Sequence, residues 1–296
     1  VKQKLSFTRR ECLKLGAALS IGLLEKLPSD SSRQKINERN SRMKLGIVTY
    51  NIASKWDLLT IIEKCKSIGI EGVELRTTHA HGVEPNISKS QRIEVRKCFE
   101  DSAITLWGLG TVCEFHSDDP SIVRQNIETC KAFVCLAEDT GAKGVKVRPN
   151  GLQLEKGIPE EKTLEQIGKA LQECGKFAAD HGVEIWLEVH GDQTQHPPRI
   201  RRIVDICGHP SVGVCWNSNP TDLKDGSVKE YFKLLEPYIK SVHIHELWNP
   251  NYPWRELFYL LKKANYERFT LAEIPESTDA DRILRYYRAL WLELTR

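Results

Sequence analysis

From Met43 onward, short apolar runs alternate with longer segments of helical periodicity. The runs predict strands at 44–50, 72–76, 104–108, 144–147, 184–189, 212–216, 239–245 and 268–274. The segments between and after them predict helices at 56–67, 88–101, 121–140, 161–181, 198–207, 228–235, 254–264 and 279–292. Strands alternating with helices imply a parallel sheet, and eight such units point to a sheet closed on itself rather than an open one. Punctuation agrees with the count. Gly69 and Gly182 follow predicted helix ends, where a left-handed residue is wanted, and Ser88 and Asp279 stand where helix starts need a cap. The expected fold class is therefore α/β, a single-domain (β/α)8 TIM barrel over residues 43–296, about the usual size for one.

The N-terminal stretch has a different character. Thr8-Arg9-Arg10-Glu11-Cys12-Leu13-Lys14 resembles the twin-arginine export consensus, with Cys12 where Phe is commoner, and an apolar run follows it to Leu24. That run is too short to span a bilayer and has the length of a signal core. Residues 1–27 are read as a twin-arginine-type signal segment and 28–42 as a polar linker, which implies export, to the periplasm, with no stable membrane anchor. Proteins exported this way generally cross already folded. An ordinary amphipathic helix is the alternative, and no clean Ala-x-Ala cleavage site is present.

Composition narrows the function classes. Of 296 residues, 40% are hydrophobic and 28% charged, ordinary values for a globular chain. The net charge of +3 is slight and no long basic run exists, so no nucleic-acid partner is expected. The nine cysteines form no CxxC pair, which argues against a zinc ribbon or thioredoxin-type motif, and their odd number against a disulfide framework. Most stand in apolar contexts, where cysteine behaves as a small hydrophobe. The oligomeric state is open, a homo-oligomer included.

In such barrels the active site lies at the C-terminal ends of the strands. The fourth strand ends Lys146-Val147-Arg148, the fifth Leu187-Glu188-Val189-His190, the sixth Cys215-Trp216-Asn217, the seventh Val242-His243-Ile244-His245 and the eighth Leu271-Ala272-Glu273. Charged groups in a strand of Val, Ile and Leu need a reason, because burying them unpaired is costly. Glu188, Asn217, His243 and Glu273, on four consecutive strands, suit a divalent cation such as Mn, Mg, Co or Zn. The competing explanation is a buried ion-pair network without metal.

These motifs, with Tyr266 ahead of the last, resemble the sugar phosphate isomerase/epimerase family of xylose isomerase-like barrels over the whole chain from Met43. The resemblance implies metal ligation by Glu188, His243 and Glu273. The family's usual Asp falls on Asn217, which removes one negative charge and weakens the donor. It also implies a metal-dependent isomerase or epimerase acting on a sugar or keto-sugar. Glu188 and Glu273 would be the catalytic pair, one removing a proton and the other returning it, an acid–base contribution of roughly 10²–10⁴-fold. His190, Lys146, Arg148, His245 and Trp248 are the expected substrate contacts, with Lys146 and Arg148 able to take a hydroxyl, a carboxylate or a phosphate. Export favours a free sugar or glycoside over a sugar phosphate. The loop Trp248-Asn249-Pro250-Asn251-Tyr252-Pro253-Trp254 either stacks its aromatics on a pyranose or packs them on the barrel rim. His79, His81 and His116 follow strands two and three and are weaker candidates for the pocket.

Two alternatives use the same site: a lyase or dehydratase on a keto-sugar or inosose, and a non-catalytic sugar-binding barrel that has lost its metal. A nuclease resembling endonuclease IV would need further Asp and His ligands, which Asn217-Ser218-Asn219-Pro220 does not supply.

Overall fold

The computed structural model describes residues 43–296. The signal segment and linker read at 1–42 lie outside the described residues. Eight strands pair in chain order, each parallel to the next, and β8 closes on β1. They are β1 Lys44–Val48, β2 Gly72–Arg76, β3 Thr105–Glu114, β4 Gly144–Arg148, β5 Glu184–Glu188, β6 Val212–Asn217, β7 Ile239–Ile244 and β8 Phe269–Ala272. The helices that follow them are α1 Leu58–Ile68, α2 Lys89–Ser102, α3 Pro120–Thr140, α4 Glu160–Asp180, α5 Pro197–Cys207, α6 Lys229–Leu235, α7 Trp254–Lys263 and α8 Ala280–Leu294. Among the described residues no helix is long and apolar enough to cross a membrane.

Local chemistry sets the boundaries. Asp57 accepts a bond from the Thr60 amide to start α1, and Gly69 ends it at φ +84°. Ser88 and Gln91 form a reciprocal capping box on α2. Asp279 does precede α8, but its carboxylate makes no cap bond and pairs instead with Arg282 at 2.7 Å. The largest departure is β3, which runs on to Glu114 rather than stopping at Gly108. Gly108 and Gly110 look like turn residues, yet each serves close packing inside the barrel: a Cβ on Gly108 would lie 2.6 Å from Trp186, and one on Gly110 would lie 2.7 Å from Glu74 Oε1. All eight described cysteines are free, and only Cys135 is not buried.

The period of two along each strand decides what the barrel contains. On β5 the inward positions are Glu184, Trp186 and Glu188. Glu184 sits toward the N-terminal mouth, paired with Arg268 at 2.7 Å. Trp186, fully buried, fills the middle. It stacks on Trp107 with ring centroids 5.1 Å apart, and Trp107 in turn meets Phe269, also at 5.1 Å. Glycines on neighbouring strands make room for these rings: a Cβ on Gly144 would lie 2.4 Å from Trp186, and one on Gly72 equally close to Phe269. The barrel is thus plugged by aromatics, in keeping with a packed interior rather than a pore. Glu188 stands on that floor.

Candidate metal and substrate site

One residue pair from each of five strands builds the site, a deep member and a second two positions on. The pairs are Glu74 and Arg76 on β2, Lys146 and Arg148 on β4, Glu188 and His190 from β5, Asn217 and Asn219 from β6, and His243 and His245 from β7. Every deep member is buried, from 0% exposure at Glu74 and His243 to 6% at Lys146. Glu273, just past β8, completes the set and is part-buried. All of these except His243 line a cavity of about 500 Å³, a size ordinary for a small-molecule site.

At its base, donor atoms of Glu188, His243 and Glu273 lie within 4.8 Å of one another. His243 Nδ1 is 3.3 Å from Glu188 Oε1 and 3.4 Å from Glu273 Oε2, but neither contact has hydrogen-bond geometry, and Nδ1 is a buried nitrogen without a partner. The opposite nitrogen, Nε2, is 3.1 Å from Glu74 Oε2. Held so, Nε2 carries the proton and Nδ1 keeps its lone pair, the arrangement that a metal-ligating imidazole needs. Asn217 Oδ1 is likewise buried without a partner, while its Nδ2 stands 3.4 Å from Glu188 Oε1. Two carboxylates, one imidazole with an uncommitted nitrogen and one orphaned amide oxygen fit a divalent cation.

The carboxylates around His243 create a demand for positive charge at Nδ1, which either a second proton or a cation in its place would meet. Burial pushes the His243 imidazole down, yet Cys215, Glu74 and Glu273 outweigh it, and the ring's proton affinity stands well above its ordinary value. The pocket base therefore calls for positive charge. Burial raises the Glu273 carboxyl, but the field and contacts of His243, with His245, bring it down to about 2. Glu188 is pushed up by burial and down, decisively, by Lys146 and His243. Lys146 is held above the usual amine value despite its burial, because Glu188 and Glu74 face it. Lys146 and Glu188 are thus an ionised buried pair, with Nζ 2.7 Å from Oε2. Burial lowers the His190 imidazole, so the ring is neutral, and its Nδ1 has no partner in the cavity wall.

Several sequence expectations change. Lys146 lines the cavity, but its ammonium is committed to Glu188. Arg148 also lines it and is ion-paired with Glu114, because β3 runs further than expected and sets Glu114 opposite Arg148 in the ladder. His245 reaches the site through Glu273 Oε2, 3.3 Å away. Trp248 does not line the cavity: it is 71% exposed, beside a surface depression that includes Pro250 and Trp254. Tyr252 and Trp254 are buried, so the β7–α7 loop packs its aromatics on the rim rather than offering them to a sugar. Tyr252 fixes that loop by donating to Asp222 Oδ2 and accepting from Trp216 Nε1. His81 is buried and structural, and His79 bonds Thr49 at 2.9 Å.

Glu74 and Arg76 were not singled out from the sequence. The signal was present in Gly72-Val73-Glu74-Leu75-Arg76, where a carboxylate interrupts an apolar strand just as Glu188 does in β5.

A family model described as "Xylose isomerase-like TIM barrel" matches residues 62–291. No curated protein matches the sequence. Among solved structures, an L-ribulose 3-epimerase superposes with a TM-score of 0.73 at 16% identity, covering 86% of this chain and 94% of that one. A 3-keto-D-glucoside 4-epimerase from E. coli gives 0.71 at 15% identity, covering 85% and 99%. An "IOLI protein with a binding zinc atom" gives 0.71 at 17% identity, covering 86% and 98%. At these identities the likeness is one of fold.

Proposed function

The chain belongs to the xylose isomerase-like TIM barrel family, and within it we propose a divalent-metal-dependent epimerase or isomerase acting on a sugar or keto-sugar. The observation that carries this is the pairing of Glu188 and Glu273 about the uncommitted Nδ1 of His243. Solved neighbours named as sugar epimerases and as a zinc-binding protein support it.

Glu188, His243 and Glu273 would hold the ion, with Asn217 as a weaker fourth donor. When bound, a divalent ion supplies Lewis-acid polarisation of a carbonyl next to the acidic C–H. The protein's own groups do the rest. The Glu273 contacts with His243 and His245 fall on Oε2, which leaves Oε1 to take or return a proton. Glu188 faces it as the second carboxylate, kept ionised by Lys146. His190, a neutral ring in the cavity wall, would contact a substrate hydroxyl.

Incubation with keto-sugars in D2O tests the reading. Deuterium entering the carbon beside the carbonyl, dependent on added Mn2+ or Zn2+ and abolished in Glu273→Gln, is the expected result. A second reading, a sugar-binding barrel without metal, draws on the Lys146–Glu188 pair, which already compensates one carboxylate, and on Asn217, a neutral amide where the family resemblance expects Asp. Metal-free protein that binds sugar and never exchanges a proton would establish it.

A further inference from the structure

The two cavity cations that the sequence singled out are both committed, Lys146 to Glu188 and Arg148 to Glu114. Arg76 is not. It closes β2, lies two positions beyond Glu74 on the same strand face and lines the cavity. Among the described residues no carboxylate lies within ion-pair distance of its guanidinium.

The group is nevertheless fixed. The Arg76 amide donates to Thr49 Oγ1 at 2.9 Å, and its carbonyl accepts from His81 Nε2 at 2.8 Å. Nη1 donates to Thr77 O at 2.8 Å and to Thr78 Oγ1 at 2.7 Å. That second acceptor comes from unusual backbone: Thr78 has φ +68°, a conformation β-branched residues rarely adopt. Glu84 holds it there by accepting from the Thr78 amide and the Thr77 hydroxyl. Strain of this kind persists only where its surroundings impose it, and it gathers at ligand clamps. Here its product is an arginine with one nitrogen tied back and Nε and Nη2 uncommitted. Tyr50 flanks the guanidinium, its ring centroid 5.6 Å away.

We propose that Arg76 is an anion-recognition residue and that the substrate is an acidic sugar, with its carboxylate or phosphate received by the free edge of the guanidinium while its carbonyl end lies at the Glu188–His243–Glu273 base. This rests on the reading of the cavity as a sugar site. A planar guanidinium presenting two donors matches either anion in a fork. The stretch from Glu74 to Arg76 is one strand period, so a single sugar spans base and mouth.

Calorimetric titration of the full-length protein, in saturating Mn2+, with D-glucose, D-glucuronate and D-glucose 6-phosphate tests it. At least one acidic sugar is expected to bind ten-fold or more tighter than glucose, and which of the two does so separates carboxylate from phosphate. Arg76→Gln is expected to cost that acid ten- to a hundred-fold and so to narrow or abolish its margin over glucose. Arg76→Lys, keeping the charge without the fork, should retain part of the preference, and it carries the test if the glutamine variant does not fold. Equal binding of all three sugars, binding of none, or an acid preference that survives in Arg76→Gln overturns the proposal. Proton exchange reads the other claim separately: acid preference lost in Arg76→Gln without any exchange would leave this inference standing and remove the epimerase.

Discussion

Glu74 Oε2 lies 3.1 Å from His243 Nε2, at the base of the cavity and fully out of solvent, so the carboxylate of β2 determines which nitrogen of the β7 imidazole faces Glu188 and Glu273. The two residues are far apart in sequence and meet only because the barrel closes. Their contact links the packing of the barrel to the chemistry of its mouth.

Glu74→Gln tests this link. The amide offers a donor as readily as an acceptor, so the tautomer of His243 is no longer fixed. Affinity for Mn2+ or Zn2+ is expected to fall about 10–100-fold, the usual cost of losing such a partner. Gly110→Ala should act in the same direction, since its Cβ would stand 2.7 Å from Glu74 Oε1. Competition titration against a chelating dye measures both. Unchanged affinity in Glu74→Gln would show that Glu74 has no hold on the site.

Lys146→Met removes the cation from a buried pair and leaves Glu188 uncompensated. Breaking such a pair costs about 3–5 kcal/mol, so the variant should unfold at clearly lower temperature than wild type in EDTA. A divalent ion at the base replaces the missing charge, and Mn2+ should therefore raise the melting temperature of the variant more than that of wild type. Identical melting of the two proteins in EDTA would contradict the ionised pair.

The barrel was legible because its signal is periodic: each apolar run, helix and glycine stop repeats, and small boundary errors leave the count of eight intact. Glu188, His243 and Glu273 were legible for a related reason, as polar residues at strand ends where apolar ones belong. What stayed hidden depends on contacts between strands. That Lys146 is spent on Glu188, Arg148 on Glu114, and Arg76 on no carboxylate among the described residues is decided by register and by the length of β3, neither of which a single strand reveals. Trp248 misled because an aromatic loop reads alike whether it faces a pocket or, as here, turns away while Tyr252 and Trp254 pack inward.

Asn217→Asp restores the residue that the family resemblance expects. In metal-free protein a further carboxylate beside Glu188 adds repulsion, because Nδ2, now 3.4 Å from Glu188 Oε1, becomes an oxygen. Stability in EDTA should drop. With a divalent ion present the sign reverses, and affinity is expected to rise at least about ten-fold, as a carboxylate is the stronger donor to a hard cation. Calorimetric titration of both proteins with Mn2+ gives the ratio. Equal affinity would place Asn217 outside the ligand set and leave the orphaned Oδ1 to some other partner.

His81 gives the fold a dependence on pH. Its Nε2 donates to the Arg76 carbonyl, and its Nδ1 accepts from the Val83 amide at 3.1 Å, so the folded protein requires the neutral ring. Burial, together with nearby His79 and against the Arg76 carbonyl, lowers the imidazole from 6.5 to about 4. Between those values the unfolded chain takes up a proton that the folded chain refuses, so stability rises with pH across this window. It is present in full above pH 6.5 and is lost as pH falls toward 4, by about 3 kcal/mol at most. Gln in place of His81 offers an amide donor and acceptor but does not titrate. Urea unfolding at pH 7.5 and pH 4.5 should show the gap between wild type and His81→Gln narrowing, or reversing, at the lower pH. A gap of the same size at both would mean that His81 is not held neutral, and that the clamp on the Arg76 backbone does not depend on its tautomer.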